Sequence, residues 1–267
     1  MFREEASEYR MGSALQCVTL TSETLVRTTV KCSSRKEELI LEEPYRIYLN
    51  ETLIGSSMLL ATGLEEFGVG FLFAQGYISS PKEIKEVRLC DTGGIYVYTS
   101  AEEVEKKELI VTSGCGGTGK ISRDFLEREF DPLQNYNMPL SEVRPFILEV
   151  LRLSELQRRT HCVHACGFWS EGGLKLFFED VGRHNAVDKI VGAILLGKAT
   201  SKGAIYTTGR LTSDMVLKCA RVGIPIVMSR TATSSLGLEI ARRAGLTLIC
   251  YARPDRVNIF NAPQRIV

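Results

Sequence analysis

From residue 203 to residue 251 the chain alternates without a break between short β-branched runs and amphipathic helical runs, and no other feature narrows its fold so far. G-A-I-Y-T-T, I-P-I-V-M-S and L-T-L-I-C-Y have the length and composition of buried strands. Between them, S-D-M-V-L-K-C-A-R-V-G and S-L-G-L-E-I-A-R-R-A-G have helical spacing. Each ends on a glycine, Gly223 or Gly245, where a helix terminus takes a left-handed residue. Strands separated by helices lie parallel in one sheet with the helices on its faces, so the pattern predicts an α/β layered unit. Strands near 163–169 and 173–179, a helix near 185–196 and a longer helical pattern from Ser141 to about Arg159 extend that unit upstream.

Residues 15–100 read differently. L-Q-C-V-T-L-T, T-L-V-R-T-T-V, Y-R-I-Y-L-N, I-K-E-V-R-L-C and I-Y-V-Y-T-S are strand-like. One helix interrupts them, L-E-E-F-G-V-G-F-L-F-A-Q-G, with Thr62 and Glu65 spaced as a capping box. The division expected is an N-terminal α+β subdomain over 1–105, its first 13 residues a flexible tail, and an α/β domain over 106–267. The net charge of +1 argues against a polyanionic partner, so no nucleic acid is expected. No apolar run approaches the ~20 residues of a membrane span, and the start M-F-R-E-E-A-S-E-Y-R has no apolar h-region. A cytoplasmic location without membrane contact is therefore expected, and most of the eight cysteines should be reduced thiols. Cys17, Cys32, Cys90, Cys219 and Cys250 lie in apolar or amphipathic runs and read as packing residues.

Four segments carry chemistry. The first is T-S-G-C-G-G-T-G-K at 112–120, where Cys115 lies among glycines with Lys120 close by. Exposed amides, a cation and a following helix N-terminus stabilise a thiolate and make it nucleophilic. Gly114 to Lys120 also spells G-x-x-x-x-G-K, but Ile121 stands where a P-loop-like NTPase needs a hydroxyl for magnesium. The second is T-H-C-V-H-A-C, with His161, Cys162, His164 and Cys166. Read as a strand, it puts Cys162, His164 and Cys166 on one face and turns His161 away. No distant C-x-x-C completes a zinc site, so a structural or substrate-lining role is favoured and no metal is expected. The third is F-F-E-D-V-G-R-H-N-A-V-D-K, a strand-to-helix junction that presents Arg183 and His184 as candidate site residues. The fourth comprises T-T-G-R at 207–210, S-R-T-A-T-S-S at 229–235 and Y-A-R-P-D-R at 251–256. Hydroxyls and arginines after strands suit phosphates, and the three segments at one edge of a sheet would make a polyphosphate or nucleotide pocket.

The third and fourth segments, with the run S-S-L-G-L-E-I-A-R-R-A-G-L-T-L and the ending R-V-N-I-F-N-A-P-Q-R-I, resemble the formate dehydrogenase accessory sulfurtransferases of the FdhD type. The resemblance covers most of the chain, and the string D-V-G-R-H-N-A-x-D-K is its most specific part. It implies a cytidine-deaminase-like three-layer α/β domain without the deaminase zinc site, a smaller N-terminal α+β subdomain, and a homodimer. It implies a sulfur carrier that takes sulfur from a cysteine desulfurase as a persulfide. The sulfur passes to the molybdenum cofactor, in its bis(molybdopterin guanine dinucleotide) form, before that client enters formate dehydrogenase. Cys115 matches the first cysteine of the family loop C-G-x-C-G, and Thr118 stands in place of the second. Whether Cys162 or Cys166 substitutes for that second thiol is left open. Tyr251, Ala252, Arg253, Pro254, Asp255 and Arg256 match the family's cofactor-binding stretch, with Pro254 and Asp255 where the family has glycines. Thr208, Arg210 and Ser229 would hold phosphates beside them, and Arg183 and His184 would line or polarise the site. The rival readings are a non-covalent molybdenum-cofactor chaperone and, more remotely, the NTPase.

Overall fold

The computed structural model describes residues 26–32, 35–100, 109–111 and 120–267. Cys115, Thr118, the N-terminal 13 residues and the strand expected over 15–21 lie outside the described residues. The chain runs β1 (Val26–Cys32), β2 (Arg35–Ile40), β3 (Glu43–Leu49), β4 (Thr52–Leu59), α1 (Leu64–Ala74), β5 (Ile84–Cys90) and β6 (Gly94–Thr99). It continues through β7 (Leu109–Val111), β8 (Lys120–Ser122), α2 (Arg123–Glu127), α3 (Leu140–Leu153), α4 (Glu155–Thr160), β9 (His164–Ser170) and β10 (Gly173–Asp180). It closes with α5 (Arg183–Leu195), β11 (Ala204–Thr207), α6 (Ser213–Arg221), β12 (Ile226–Ser229), α7 (Ser235–Ala244), β13 (Thr247–Arg253) and β14 (Arg256–Asn261).

The principal sheet has the order β10-β9-β11-β12-β13-β14, with β11, β12 and β13 parallel as the alternation predicts. Successive side chains leave a strand on opposite faces. Ala165, Tyr206, Met228 and Ile249 therefore meet Phe146, Ile147 and Val150 of α3 on one side. Cys166, Phe168, Ile205, Val227 and Leu248 meet α5, α6 and α7 on the other. This makes a three-layer α/β unit. A second sheet, β4-β3-β6-β5, packs Ile47, Ile95 and Val97 on α1, and α1 in turn lies against α5. Residues on both sides of position 105 thus share one hydrophobic core.

Glycines set how closely α1 and α5 approach. A Cβ on Gly192 would stand 1.8 Å from the Glu66 carbonyl oxygen, and one on Gly70 would stand 2.0 Å from that of Asp188. Both obstacles are backbone, so the helices would have to part. Gly192→Ala is expected to cost about 1–3 kcal/mol by overpacking, read as a lowered urea midpoint. An unchanged midpoint would mean that the two helices are not held this close.

Two helix starts differ from expectation. Thr62 does not cap α1: Gly63, left-handed at φ 59°, is the N-cap and no side chain bonds there. That glycine places Glu65 in the second helical position rather than the third, and a Cβ on it would stand 2.7 Å from the Phe178 ring. The long helix from Ser141 is two helices, the first starting one residue earlier at Leu140. Ser154 bonds back to the Val150 carbonyl at 2.7 Å, and the Glu179 carboxylate accepts the Leu156 and Gln157 N–H groups at 3.1 and 2.9 Å. A new helix N-terminus is thereby satisfied within what sequence spacing shows as one run.

Candidate functional site

The carboxy-terminal ends of β11, β12 and β13 lie side by side, which brings the three hydroxyl- and arginine-bearing segments to one edge of the sheet. Arg230 N–H donates to the Thr207 carbonyl at 3.0 Å, and Tyr251 N–H donates to that of Thr231 at 2.8 Å. Ser229 is fully buried: its hydroxyl donates to the Gly209 carbonyl at 2.6 Å and accepts from Thr231 N–H at 2.9 Å. Ser229 therefore shapes the loops and presents no group to a ligand.

A pocket of about 370 Å³ opens at this edge, lined among others by His161, Cys162, His164, Thr208, Arg230 and Thr231. Thr208 joins its two sides, since its Oγ1 accepts Ala165 N–H at 3.0 Å and meets His164 Nδ1 at 3.2 Å. Burial, together with the positive charges of Arg183 and Arg210, pushes the His164 imidazole below its ordinary value. His164 is thus a neutral imidazole at pH 7. Its midpoint, followed by NMR through the ring C–H resonances, should lie under the ordinary ~6.5 and move up in Arg210→Gln. A midpoint at or above 6.5 would contradict this electrostatic picture.

The stretch 251–256 forms the tip of the β13–β14 hairpin. Tyr251 is left-handed at φ 51°, at an irregularity in the register, and a non-glycine residue held there is strained. Ala252 is buried, and its carbonyl accepts the Tyr206 hydroxyl at 3.3 Å. Pro254 and Asp255 make the turn, and Arg253 and Arg256 face each other across it, both exposed. Arg210 is exposed as well.

The junction F-F-E-D-V-G-R-H-N-A-V-D-K behaves otherwise than expected. Every residue of α5 is buried, because the helix lies between the principal sheet and α1. Asp180, His184, Asp188, Lys189, Asp214 and Lys218 are each wholly inaccessible. They pair as Lys189–Asp180 at 2.6 Å, Lys218–Asp188 at 2.7 Å and His184–Asp214 at 2.6 Å. Asp180 also accepts the N–H groups of Leu60 and Gly182 and the Asn185 amide, and Asn185 donates to the Met58 carbonyl. Burial works against the Asp214 carboxyl, but the His184 bond, the Lys218 charge and the Thr212 hydroxyl hold it well below the ordinary carboxylate range. His184 therefore lies beneath the site and does not line it. Arg183, 8% exposed, packs against Gly209, where a Cβ would stand 2.6 Å from its own.

Arg230 and Thr231 are pocket residues that sequence reasoning did not single out individually, and His161, which the strand reading turned away, lines the pocket as well. His161 turns toward the pocket because it is the left-handed C-cap of α4, at φ 53°, so the strand alternation assumed for it does not apply. Cys166 is fully buried against the α5 side of the sheet, with its thiol pushed well up by burial, and cannot act as an exposed thiol. Among the described residues, no three His, Cys, Asp or Glu side chains converge as a metal site. Nor, among them, is any helix long and apolar enough to cross a membrane.

β7 and β8 pair antiparallel with Val111 opposite Lys120, so they bring together the two ends of segment 112–119. The chain beyond β8 is anchored by Arg221, whose guanidinium donates to the carbonyls of Phe125, Arg128 and Glu129 and lies over the Phe130 ring.

Residues 40–267 match the FdhD/NarQ family. The chain is 34% identical over 244 residues to the sulfur carrier protein FdhD of Wolinella succinogenes, covering 88% of this chain and 84% of that protein. It is 31% identical over 239 residues to the sulfur carrier protein FdhD of Sulfolobus acidocaldarius, covering 88% and 93%. A crystal structure from Desulfotalea psychrophila, provisionally assigned as a formate dehydrogenase accessory protein, superposes with a TM-score of 0.79 at 50% identity. It covers 91% of this chain and 98% of its own.

Proposed function

The chain belongs to the FdhD/NarQ family, and from that membership we propose that it is a cytoplasmic sulfur carrier serving formate dehydrogenase, with Cys115 as the carrying thiol. The family match over 40–267 is the observation that carries this reading. The Cys115 thiolate attacks the outer sulfur of a persulfide on a cysteine desulfurase. One S–S bond breaks, another forms on Cys115, and the desulfurase thiolate leaves. The client is the molybdenum cofactor in its bis(molybdopterin guanine dinucleotide) form, which receives the sulfur before it enters formate dehydrogenase. A homodimer is the working unit.

The edge formed by β11, β12 and β13 suits a phosphate-rich client. Arg253 and Arg256 stand at paired positions across a two-residue turn, and like charges directly opposite repel. A bound diphosphate would relieve that repulsion and accept their hydrogen bonds. Thr208, Thr231 and the exposed Arg210 and Arg230 border the same edge. With GDP as the probe, Arg253→Ser/Arg256→Ser should weaken binding by roughly tenfold to a hundredfold, the scale of one or two hydrogen bonds to a charged group. Unchanged GDP affinity would take the hairpin tip out of the client site.

The test of the whole reading is intact-mass measurement after incubation with a purified cysteine desulfurase and cysteine. A gain of ~32 Da that reductant reverses is expected for one carried sulfur. No gain, with GDP still bound, would favour a chaperone that holds the cofactor without covalent chemistry.

A further inference from the structure

Cys162 shares its pocket with His161, His164 and Arg230. It is exposed, and its backbone N–H donates to Thr160 Oγ1 at 3.3 Å, just ahead of β9. The other described free cysteines are placed differently. Cys166, Cys219 and Cys250 are buried, which pushes their thiols up, to about 12 for Cys219 and about 11 for Cys250. Cys90 is exposed, and the Thr92 hydroxyl lowers its thiol, but it lies on β5 at the edge of the other sheet. Cys162 is the thiol, among the described residues, that combines access to solvent, a cavity, a neighbouring neutral imidazole and a cation.

We propose that Cys162 is a second sulfur-bearing thiol: it takes a sulfane sulfur from a persulfide presented at the pocket and holds it there as Cys162–S–S–H. The inference rests on the sulfur-carrier reading. The Cys162 sulfur attacks the outer sulfur of R–S–S–H, a new S–S bond forms on Cys162, the original S–S bond breaks, and R–S⁻ leaves. The Cys162 thiol proton passes to the His164 imidazole and from there to the leaving thiolate. One persulfide replaces another, so nothing is oxidised or reduced overall. Thr208 fixes the His164 ring at Nδ1, and the neutral imidazole has a ring nitrogen that can take the proton. Arg230 lines the same pocket and places a cation at its wall. R is either Cys115 or the donor's own cysteine, and the chemistry at Cys162 is the same for both.

The test maps persulfides at peptide level, by mass spectrometry after alkylation, in the full chain and in Cys115→Ala, Cys162→Ala and His164→Asn. Two donors are used: glutathione persulfide, and a cysteine desulfurase with cysteine. Extra sulfur is expected on Cys162 in the unmodified sequence with both donors, at least about ten times more than on Cys90, since exposure alone does not make a thiol reactive. In Cys115→Ala, glutathione persulfide should still load Cys162. Loss of desulfurase-fed loading in that variant identifies Cys115 as R, and its survival identifies the desulfurase as R. His164→Asn should slow Cys162 loading by ~10²-fold or more, as removing a general base does, and leave Cys115 loading unchanged. Cys115 loaded while Cys162 never is, or Cys90 loaded as fully as Cys162, would overturn the inference and spare the carrier reading. No sulfur on either Cys115 or Cys162 would overturn the carrier reading itself.

Discussion

Cys115→Ala should abolish formate dehydrogenase activity in cells that depend on this chain and cut desulfurase-fed sulfur loading to what Cys162 accepts directly. Removal of a covalent nucleophile costs several orders of magnitude in rate, because the reaction runs through the bond it forms. The variant should keep the far-ultraviolet circular dichroism and urea midpoint of the parent, so that the loss reads as chemistry and not as unfolding. It should also keep its affinity for GDP, since the arginines at the hairpin tip belong to other elements. Full loading of the variant by the desulfurase would show that another thiol takes the sulfur first, and Cys162 would then be the residue to examine. Loss of GDP binding together with loading would tie the glycine-rich segment to the client site.

Lys189→Met should be the most damaging single substitution for stability. Lys189 and Asp180 are both fully inaccessible and 2.6 Å apart, so the methionine would leave the Asp180 carboxylate buried without its counter-charge. Breaking such a pair from one side costs about 3–5 kcal/mol, a large part of the ~5–15 kcal/mol that stabilises an ordinary domain. Asp180 also holds the backbone of Leu60 and Gly182 and the Asn185 amide, so the damage should extend to the seam between β4 and α5. Urea denaturation measures it, and hydrogen exchange should show the amide of Leu60 opening first. A loss below about 1 kcal/mol, the value of an exposed pair, would mean that water reaches this pair.

The three parallel strands and the helices between them could be read from sequence because their hydrophobic periodicity is local. β11, α6, β12, α7 and β13 all fall where the spacing puts them. The hairpin partner β14 escaped notice, since R-V-N-I-F-N follows a turn made of Pro254 and Asp255 without glycine and has no clean alternation. β4 was missed as well: its burial alternates only at its end, and Gly55 and two serines interrupt the apolar pattern.

What the sequence determined by itself was the alternation that builds the sheet, the thiol set among glycines at Cys115, and the family pattern that links them. The tertiary structure alone decided which polar groups face a ligand. Sequence polarity marks Asp180, His184, Asp188 and Lys189 as surface or site residues, yet all four are buried. Their partners lie elsewhere in the chain, with Leu60 120 positions from Asp180, and a charge is stable in the interior only where folding brings a counter-charge or donor to it. The pocket has the same origin. His161, Cys162 and His164 meet Thr208, Arg230 and Thr231 only because β9, β11 and β12 are neighbours in the sheet. Local periodicity fixes the face of a strand but not which strand lies beside it.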